Sequence, residues 1–138
     1  MTIAEFNVIA AFFTFNNKYF NGELPFPKFK IIHSYRTLGQ FSCRLGIGND
    51  YYDELLEVSD NYDYTESQFR DIVIHEMIHF YLMHTGQDRR CSHGKAFKRM
   101  AEDFNLRYGM NITKIADISN YKVREGKSAF MKAICTLL

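Results

Sequence analysis

The sequence predicts an α+β fold, in which a small and mostly antiparallel sheet packs on a central helix and on flanking helices. Three observations support this prediction: an apolar stripe with helical spacing near the start, two segments of β-type composition before residue 50, and a long apolar helix in the middle. The 138 residues are predicted to form a single domain. A domain of this size buries roughly two-thirds of the surface of its unfolded chain.

The N-terminal third is predicted to contain a helix and two strands. The apolar stripe predicts a core-facing helix that begins near Ile3 and ends at Gly22. Segment 29–35 is rich in β-branched and aromatic residues, which favour a strand. Segment 40–47 alternates apolar with polar residues, as a half-buried strand does. We expect these two strands to pair as a hairpin.

Segment 49–66 is acidic and contains no basic residue. Within it, Leu55 to Val58 predict a short third strand. The main interpretation of the surrounding residues is a solvated loop. The alternative is a surface that repels nucleic acid and so orients the basic half of the chain.

A long helix is predicted from residue 66 to residue 84. Thr65 followed by Gln68 has the pattern of a capping box, with Thr65 as the N-cap. Gly86 lies where a C-terminal glycine cap would end the helix. The centre of the helix is apolar nearly all round, which predicts a buried core helix.

This helix contains the motif His-Glu-x-x-His at residues 75–79. The spacing places His75 and His79 on one helix face, where two imidazoles can share one zinc ion. Glu76 is placed to take a proton from the attacking water. Two histidines and a carboxylate inside a core are costly unless they are paired or metal-bound. This cost favours a zincin-type active-site helix over the alternative of two hydrogen-bonded structural histidines.

A catalytic zinc ion usually has three protein ligands and one open position. His93, which opens the next predicted helix, is the preferred third ligand, and Glu102 in the same helix is the alternative. Cys91 is near enough in sequence to bind metal, but a structural thiol is the favoured interpretation. Asp71 lies one turn before His75 and could accept the free N–H of that imidazole. A solvent-facing Asp71 is an equal alternative.

The C-terminal third is predicted to contain one helix and an extension. Residues 94–108 predict an amphipathic helix that Gly109 ends. Segment 111–121 fits no single element. The core of the domain is predicted to cover about residues 5–115. Residues 116–138 then form a basic C-terminal extension that ends on apolar residues.

The net charge of +1 hides an uneven distribution. Residues 1–85 contain six basic and eleven acidic side chains, a net charge of −5, whereas residues 86–138 contain eleven and five, a net charge of +6. Such asymmetry indicates either a nucleic-acid face or a solvated helix surface with a basic tail. The candidate nucleic-acid contacts are the basic residues around the proposed third ligand: Arg89, Arg90, Lys95, Lys98 and Arg99.

The sequence also bears on location. No secretory signal is predicted, because the first basic residue is Lys18 and Glu5 interrupts the apolar N-terminus. No stretch reaches the roughly 20 apolar residues of a membrane span, so no membrane partner is expected. The three cysteines show no disulfide spacing. A cytoplasmic location is therefore expected, with association to the nucleoid as a more specific form of it.

Three separated motifs are similar to those of the SprT-like metalloprotease domain, whose eukaryotic relatives include Spartan. They are N-N-K-Y-F-N-G-E-L-P-F-P at 16–27, H-E-M-I-H at 75–79 and, after thirteen residues, H-G-K-A-F at 93–97. The resemblance implies one zinc ion held by His75, His79 and His93. It implies that Glu76 is the catalytic acid and base of a zinc-dependent endopeptidase. The substrates implied are proteins bound or crosslinked to DNA, with single- or double-stranded DNA as a further partner.

One departure from the family pattern concerns the C-terminus. Some members carry a zinc ribbon of paired cysteines, but this sequence has only Cys135 near its end and no Cys-x-x-Cys. Two other function classes stay open on the residues alone. One is a non-catalytic, zinc-stabilised module that binds nucleic acid or protein. The other is a metal-dependent hydrolase of a different carbonyl bond.

Overall fold

The computed structural model describes residues 3–126, and residues 127–138 of the predicted extension lie outside the described part. The described residues form an α+β fold, as predicted. In chain order the elements are α1 (Glu5–Tyr19), β1 (Lys28–Ile32), β2 (Gly39–Leu45), a 3₁₀ turn (Ile47–Asn49), β3 (Tyr51–Ser59), β4 (Tyr62–Asp63), α2 (Glu66–His84), α3 (Lys95–Tyr108), a second 3₁₀ turn (Ile118–Asn120) and β5 (Lys122–Val123).

β3 is the central strand of a mixed three-stranded sheet with the order β1-β3-β2. β1 runs parallel to β3, with Ile31 opposite Val58. β2 runs antiparallel to β3, with Phe41 opposite Leu56. The predicted hairpin between the first two strands is therefore wrong, because β2 forms its hairpin with β3 and β3 separates it from β1.

The acidic composition of β3 explains this error. Leu56 and Val58 are fully buried, while Glu57 lies between them on the opposite face of the strand. The strand has nine residues instead of the four predicted, and three of them are acidic. A strand needs only one apolar face to become central in a sheet that packs on helices from one side.

α2 forms the centre of the core, as expected of the predicted core helix, and its bounds agree with the prediction. The sheet packs on it through Phe41, whose ring stacks on Phe80 with centroids 4.7 Å apart. α1 packs on it through Phe12, 6.3 Å from the same ring. None of the helices in residues 3–126 has the length and apolarity needed to cross a membrane.

The residues after α3 return to the body of the domain. β5 pairs with β4, with Val123 opposite Tyr62. The backbone N–H of Arg124 donates to the carbonyl of Asn61 at 2.9 Å. Its guanidinium Nη1 lies 3.3 Å from the carboxylate of Asp60, which is buried. The start of the predicted C-terminal extension is thereby held against the body.

Candidate metal centre

The N-terminal cap of α2 fixes the position of the helix in the chain. The Thr65 hydroxyl accepts a hydrogen bond from the backbone N–H of Gln68 at 3.1 Å, and the Gln68 side chain accepts one from the backbone N–H of Thr65 at 3.0 Å. These two bonds form the predicted capping box. At the other end the chain leaves the helix through Gly86 at φ +75°, a conformation that glycine adopts without a steric penalty.

Three histidines converge at one point beside α2. His75 and His79 come from consecutive turns of the helix, and His93 comes from the connection that precedes α3. The Nε2 atom of His93 lies 3.1 Å from the Nε2 atoms of both His75 and His79. A tetrahedral ion about 2.0–2.1 Å from each nitrogen would hold them roughly 3.3–3.4 Å apart. The spacing is therefore that of a donor set that can bind one metal ion, and zinc is consistent with it.

The imidazoles are in the chemical form that binds metal. Burial, followed by the neighbouring histidines, lowers the pKa of His75 to about 3. Burial and His93 lower the pKa of His79 to about 4, and burial also lowers the pKa of His93. Neutral imidazole is the ligand form, since a protonated ring has no lone pair to donate. The residues present therefore fit a metal ion on chemical as well as geometric grounds.

The backbone after α3 orients His75. The Thr113 carbonyl accepts a hydrogen bond from the His75 ring. Asp71, expected as a candidate partner, instead contacts the Arg70 guanidinium at 2.9 Å and accepts from the backbone N–H of Asn111 at 3.1 Å. The Asp71 expectation is wrong, because the Asp71 carboxylate contacts Arg70 and the backbone of Asn111 instead of the His75 ring. Among residues 3–126, the buried Nδ1 of His79 has no hydrogen-bond partner.

Glu76 lies beside the histidine cluster at the base of a cleft. Its carboxylate Oε2 is 3.9 Å from the Nε2 atom of His75, and only 7% of the residue is exposed. Burial raises the pKa of this carboxyl to about 8. The backbone N–H of Phe41 in β2 donates a hydrogen bond to the carboxylate and opposes that rise. Glu76 is thus fixed by the edge strand of the sheet.

Gly39 allows β2 to approach the helix at this point. A Cβ atom at residue 39 would lie 2.9 Å from Cγ2 of Ile72 and 3.4 Å from Oε2 of Glu76. The first distance is shorter than carbon atoms tolerate, so only glycine fits without a shift of strand or helix. No local pattern in the chain indicates this contact, because it depends on the pairing of distant segments.

The alternative ligands lie apart from the histidine cluster. Among the described residues, the donor group that gathers within 4.8 Å contains only the three histidines. Glu102 is exposed on α3. Cys91 lines the cleft, and burial raises the pKa of its thiol to about 11, which keeps it protonated.

The cleft above the cluster has a volume of about 500 Å³. One wall is formed by residues 36–41, which include the open edge of β2. The other wall is formed by residues 111–116, and Ile118 and Tyr121 extend it. Sequence reasoning missed this second wall, since segment 111–121 has no periodicity that would assign it to an element.

The five candidate nucleic-acid contacts lie outside the cleft lining. All five are exposed, and they lie on the connection between α2 and α3 and on the outer face of α3: Arg89, Arg90, Lys95, Lys98 and Arg99. In the chain these cations lie within six residues of His93.

A three-histidine cluster with a buried carboxylate beside it, at the base of a cleft, defines a metalloprotease-like site. Sequence comparison agrees with this geometry. The family model for the SprT-like family matches residues 9–116, a range that includes all three histidines and Glu76. The chain therefore belongs to the SprT-like family. A comparison with curated proteins gives no match.

Proposed function

We propose that this protein is a zinc-dependent endopeptidase that acts on proteins associated with or crosslinked to DNA. The observation that carries the catalytic part is the convergence of three histidine Nε2 atoms beside the buried carboxylate of Glu76. A structural zinc site usually has four protein ligands, whereas a catalytic one keeps a position open. The described residues supply three donors at this point, which favours catalysis over a non-catalytic binding module.

In the proposed reaction, His75, His79 and His93 would hold a zinc ion. When bound, the ion would supply Lewis-acid chemistry to the scissile carbonyl and to the attacking water. The pKa of Glu76, raised to about 8 by burial, applies to the metal-free site, and the charge of a bound ion would favour the carboxylate form. In that form Glu76 accepts the proton of the water and delivers it to the nitrogen of the leaving amine. The hydrogen bond from Phe41 keeps that carboxylate oriented during both transfers.

The substrate is proposed to lie extended along the open edge of β2. This strand is an edge strand of the sheet and lines the cleft with residues 39–41. An extended peptide can add to such an edge through main-chain hydrogen bonds, which hold a substrate without selecting its sequence. Specificity must then come from side chains of the cleft walls.

The catalytic proposal is tested with Glu76→Gln. We expect peptide cleavage to fall by roughly 10²- to 10⁴-fold, because an amide cannot accept the proton. Zinc content, measured by elemental analysis, is expected to stay at one ion per chain. The control is Glu102→Gln, the same chemical change at an exposed carboxylate outside the cluster, which should keep full activity. Equal activity of Glu76→Gln and wild type would remove the mechanism.

The DNA part of the proposal rests on the five exposed cations beside His93 and on the net charge of +6 in residues 86–138. We expect single-stranded DNA to stimulate cleavage of a basic, DNA-binding test protein. We also expect DNA affinity to fall steeply between about 50 and 200 mM salt, as phosphate contacts require. Reversing Lys95, Lys98 and Arg99 to Glu should abolish both effects and leave cleavage of a free peptide intact.

The control for this triple variant reverses two charges in the N-terminal third of the chain. Lys28 and Lys30 are exposed on β1, and neither lines the cleft. Reversing them should change neither DNA affinity nor stimulation. DNA affinity that is independent of salt, or equal in the two variants, would reject a phosphate-driven mode and leave the peptidase proposal standing.

A further inference from the structure

Two exposed cationic residues are among those that line the cleft. Arg36 precedes β2 on one wall, and Lys114 lies in the segment after α3 on the other. Within residues 3–126, neither forms an ion pair with a carboxylate within 4.0 Å. Cations that no protein carboxylate neutralises are available to a ligand in the cleft.

The position of Lys114 is fixed by its neighbours. The Thr113 carbonyl accepts a hydrogen bond from the ring of His75. Ile112 exchanges two hydrogen bonds with the Asn105 side chain, at 2.7 and 3.0 Å. The backbone just before Lys114 is therefore held in place, and Lys114 follows it in the lining of the cleft.

Arg36 is held in a comparable way. The backbone N–H groups of Arg36 and Thr37 both donate to the hydroxyl of Ser34, at 3.2 and 2.9 Å. This turn leads directly into Gly39, where β2 meets Glu76. Arg36 therefore stands at the end of the strand edge along which the substrate is proposed to lie.

The acidic groups of the cleft do not balance these charges. The lining contains two carboxylates, Asp71 and Glu76. Asp71 is paired with the guanidinium of Arg70, which lies outside the lining. Glu76 is buried below the cleft beside the histidines, where a bound metal ion would oppose its charge. Apart from Glu76, the lining therefore contains no unpaired carboxylate that could offset Arg36 and Lys114. Asp88 lies near the histidines but outside the lining, where it accepts hydrogen bonds from the backbone N–H of Arg90 and from the Ser92 hydroxyl.

We infer that the cleft selects peptide segments with an Asp or Glu side chain close to the scissile bond, and that Lys114 and Arg36 are the residues that determine this specificity. The inference rests on the proposed peptidase function and names its substrate class. A cleft of about 500 Å³ has the size of a pocket for a small ligand or a few side chains, which fits a single peptide strand. The candidate DNA contacts lie elsewhere, on the connection before α3 and on its outer face.

The test is a cleavage profile. Zinc-loaded wild type digests a mixture of unstructured peptides that carries all residue types except Cys at every position, and the products are sequenced by mass spectrometry. We expect Asp and Glu to be enriched by about fivefold at one or more positions within three residues of the cut, as expected for a charge pair at a partly exposed site. Lys114→Glu should remove that enrichment and favour Lys and Arg instead, and Lys114→Arg should keep it. Arg36→Glu should act at a second position.

The control is Lys30→Glu, an exposed cation of β1 outside the cleft, which should leave the profile unchanged. Thermal unfolding of each variant shows whether it is folded. Cleavage without any preference for charge would overturn this inference and leave the peptidase intact. No cleavage of any peptide by zinc-loaded wild type would overturn the proposed function and the inference with it. If Lys114→Glu lowers DNA affinity and leaves the cleavage profile unchanged, the cations of the cleft bind nucleic acid and the inference is wrong.

Discussion

The two helical ligands and the loop ligand of the candidate centre are held in different ways. His75 and His79 belong to α2, whose neighbouring residues Ile74 and Ile78 are fully buried in the core. His93 belongs to the connection between α2 and α3, where Cys91 adopts a left-handed conformation at φ +50°. Core packing therefore fixes the first two imidazoles, while loop geometry supplies the third. A residue in a core contributes to folding as well as to function, and a loop residue contributes mainly to function.

Removal of one ligand from each group tests this difference most strongly. We expect His79→Ala and His93→Ala both to weaken zinc binding by more than about 100-fold, since even indirect partners of a ligand contribute 10- to 100-fold. In the metal-free protein the two variants should differ. His79→Ala leaves a cavity in the core and should lower the free energy of unfolding by about 1–3 kcal/mol. His93→Ala should change it by less than about 0.5 kcal/mol.

These quantities are measured by competition with a zinc chelator and by urea unfolding of the metal-free proteins. Glu102→Ala is the control for the ligand set and should bind zinc like wild type. Loss of zinc in Glu102→Ala, with retention in His93→Ala, would overturn the assignment of the third ligand. Equal loss of stability in the two histidine variants would show that the loop is as rigid as the helix.

Gly39→Ala is expected to have the next largest effect. The added methyl group would lie 2.9 Å from the Ile72 side chain, so β2 or α2 must move. We expect the free energy of unfolding to fall by about 1–3 kcal/mol, the usual cost of overpacking a core. Peptidase activity should fall as well, because the Glu76 carboxylate moves. Zinc affinity should hold, since the three atoms nearest to the added methyl group belong to Ile72 and Glu76.

Gly46→Ala is the matched control for this substitution. Gly46 has a negative φ, and a Cβ there would meet its nearest neighbour at 3.6 Å, an ordinary contact distance. Its free energy of unfolding should equal that of wild type within about 0.5 kcal/mol, and its peptidase activity should be unchanged. Full activity of Gly39→Ala would show that the fit of β2 against Glu76 has no part in catalysis.

The pH dependence of zinc binding is the smallest expected effect. Three imidazoles with the ordinary pKa near 6.5 would lose about a thousandfold in affinity between pH 7 and pH 5.5, since each must release a proton to bind. The pKa values of His75 and His79, about 3 and 4, mean that these rings are already neutral in this range. When the pKa of an imidazole is lowered, protons compete with the metal ion for its nitrogen only at a lower pH. We therefore expect a decrease below about tenfold.

The measurement is best made on Glu76→Gln, so that titration of the Glu76 carboxyl does not contribute. Chelator competition at pH 7 and pH 5.5 gives the two affinities. Most of the decrease should come from His93, the loop ligand. It should therefore be smaller when His93→Ala is combined with Glu76→Gln. A thousandfold decrease would show that the helical imidazoles are accessible to protons in solution.

Local patterns predicted those parts of the site that lie within one helix. The capping box at Thr65, the bounds of α2 and the spacing of His75 and His79 all depend on residues within a few positions of each other. The third histidine was preferred to Glu102 for its place at the start of the next helix, and the resemblance to a family supported that choice, since nothing local places a residue eighteen positions away beside His75. The order of the strands was predicted wrongly, because β3 combines an apolar face with acidic residues and pairs with segments on both sides.

Contacts between distant segments could not be predicted from the sequence. The Thr113 carbonyl has no side-chain signature, so Asp71 was the more visible candidate for the partner of His75. The contact of Gly39 with Glu76 joins residues that are far apart in the chain. Lys114 was one of several basic residues in the C-terminal third, and only the fold distinguishes its place in the cleft from those on α3.

The attachment of β5 to β4 has a practical consequence for dissecting the chain. The matched family region ends at residue 116. Beyond it, Ile118 and Tyr121 line the cleft, and Arg124 forms an ion pair with Asp60. A fragment that stops at residue 116 would contain every proposed metal ligand and Glu76, and it would lack part of one cleft wall. The metal content of such a fragment would therefore not show whether its catalytic cleft is complete. Expression boundaries for this domain are better drawn after residue 124.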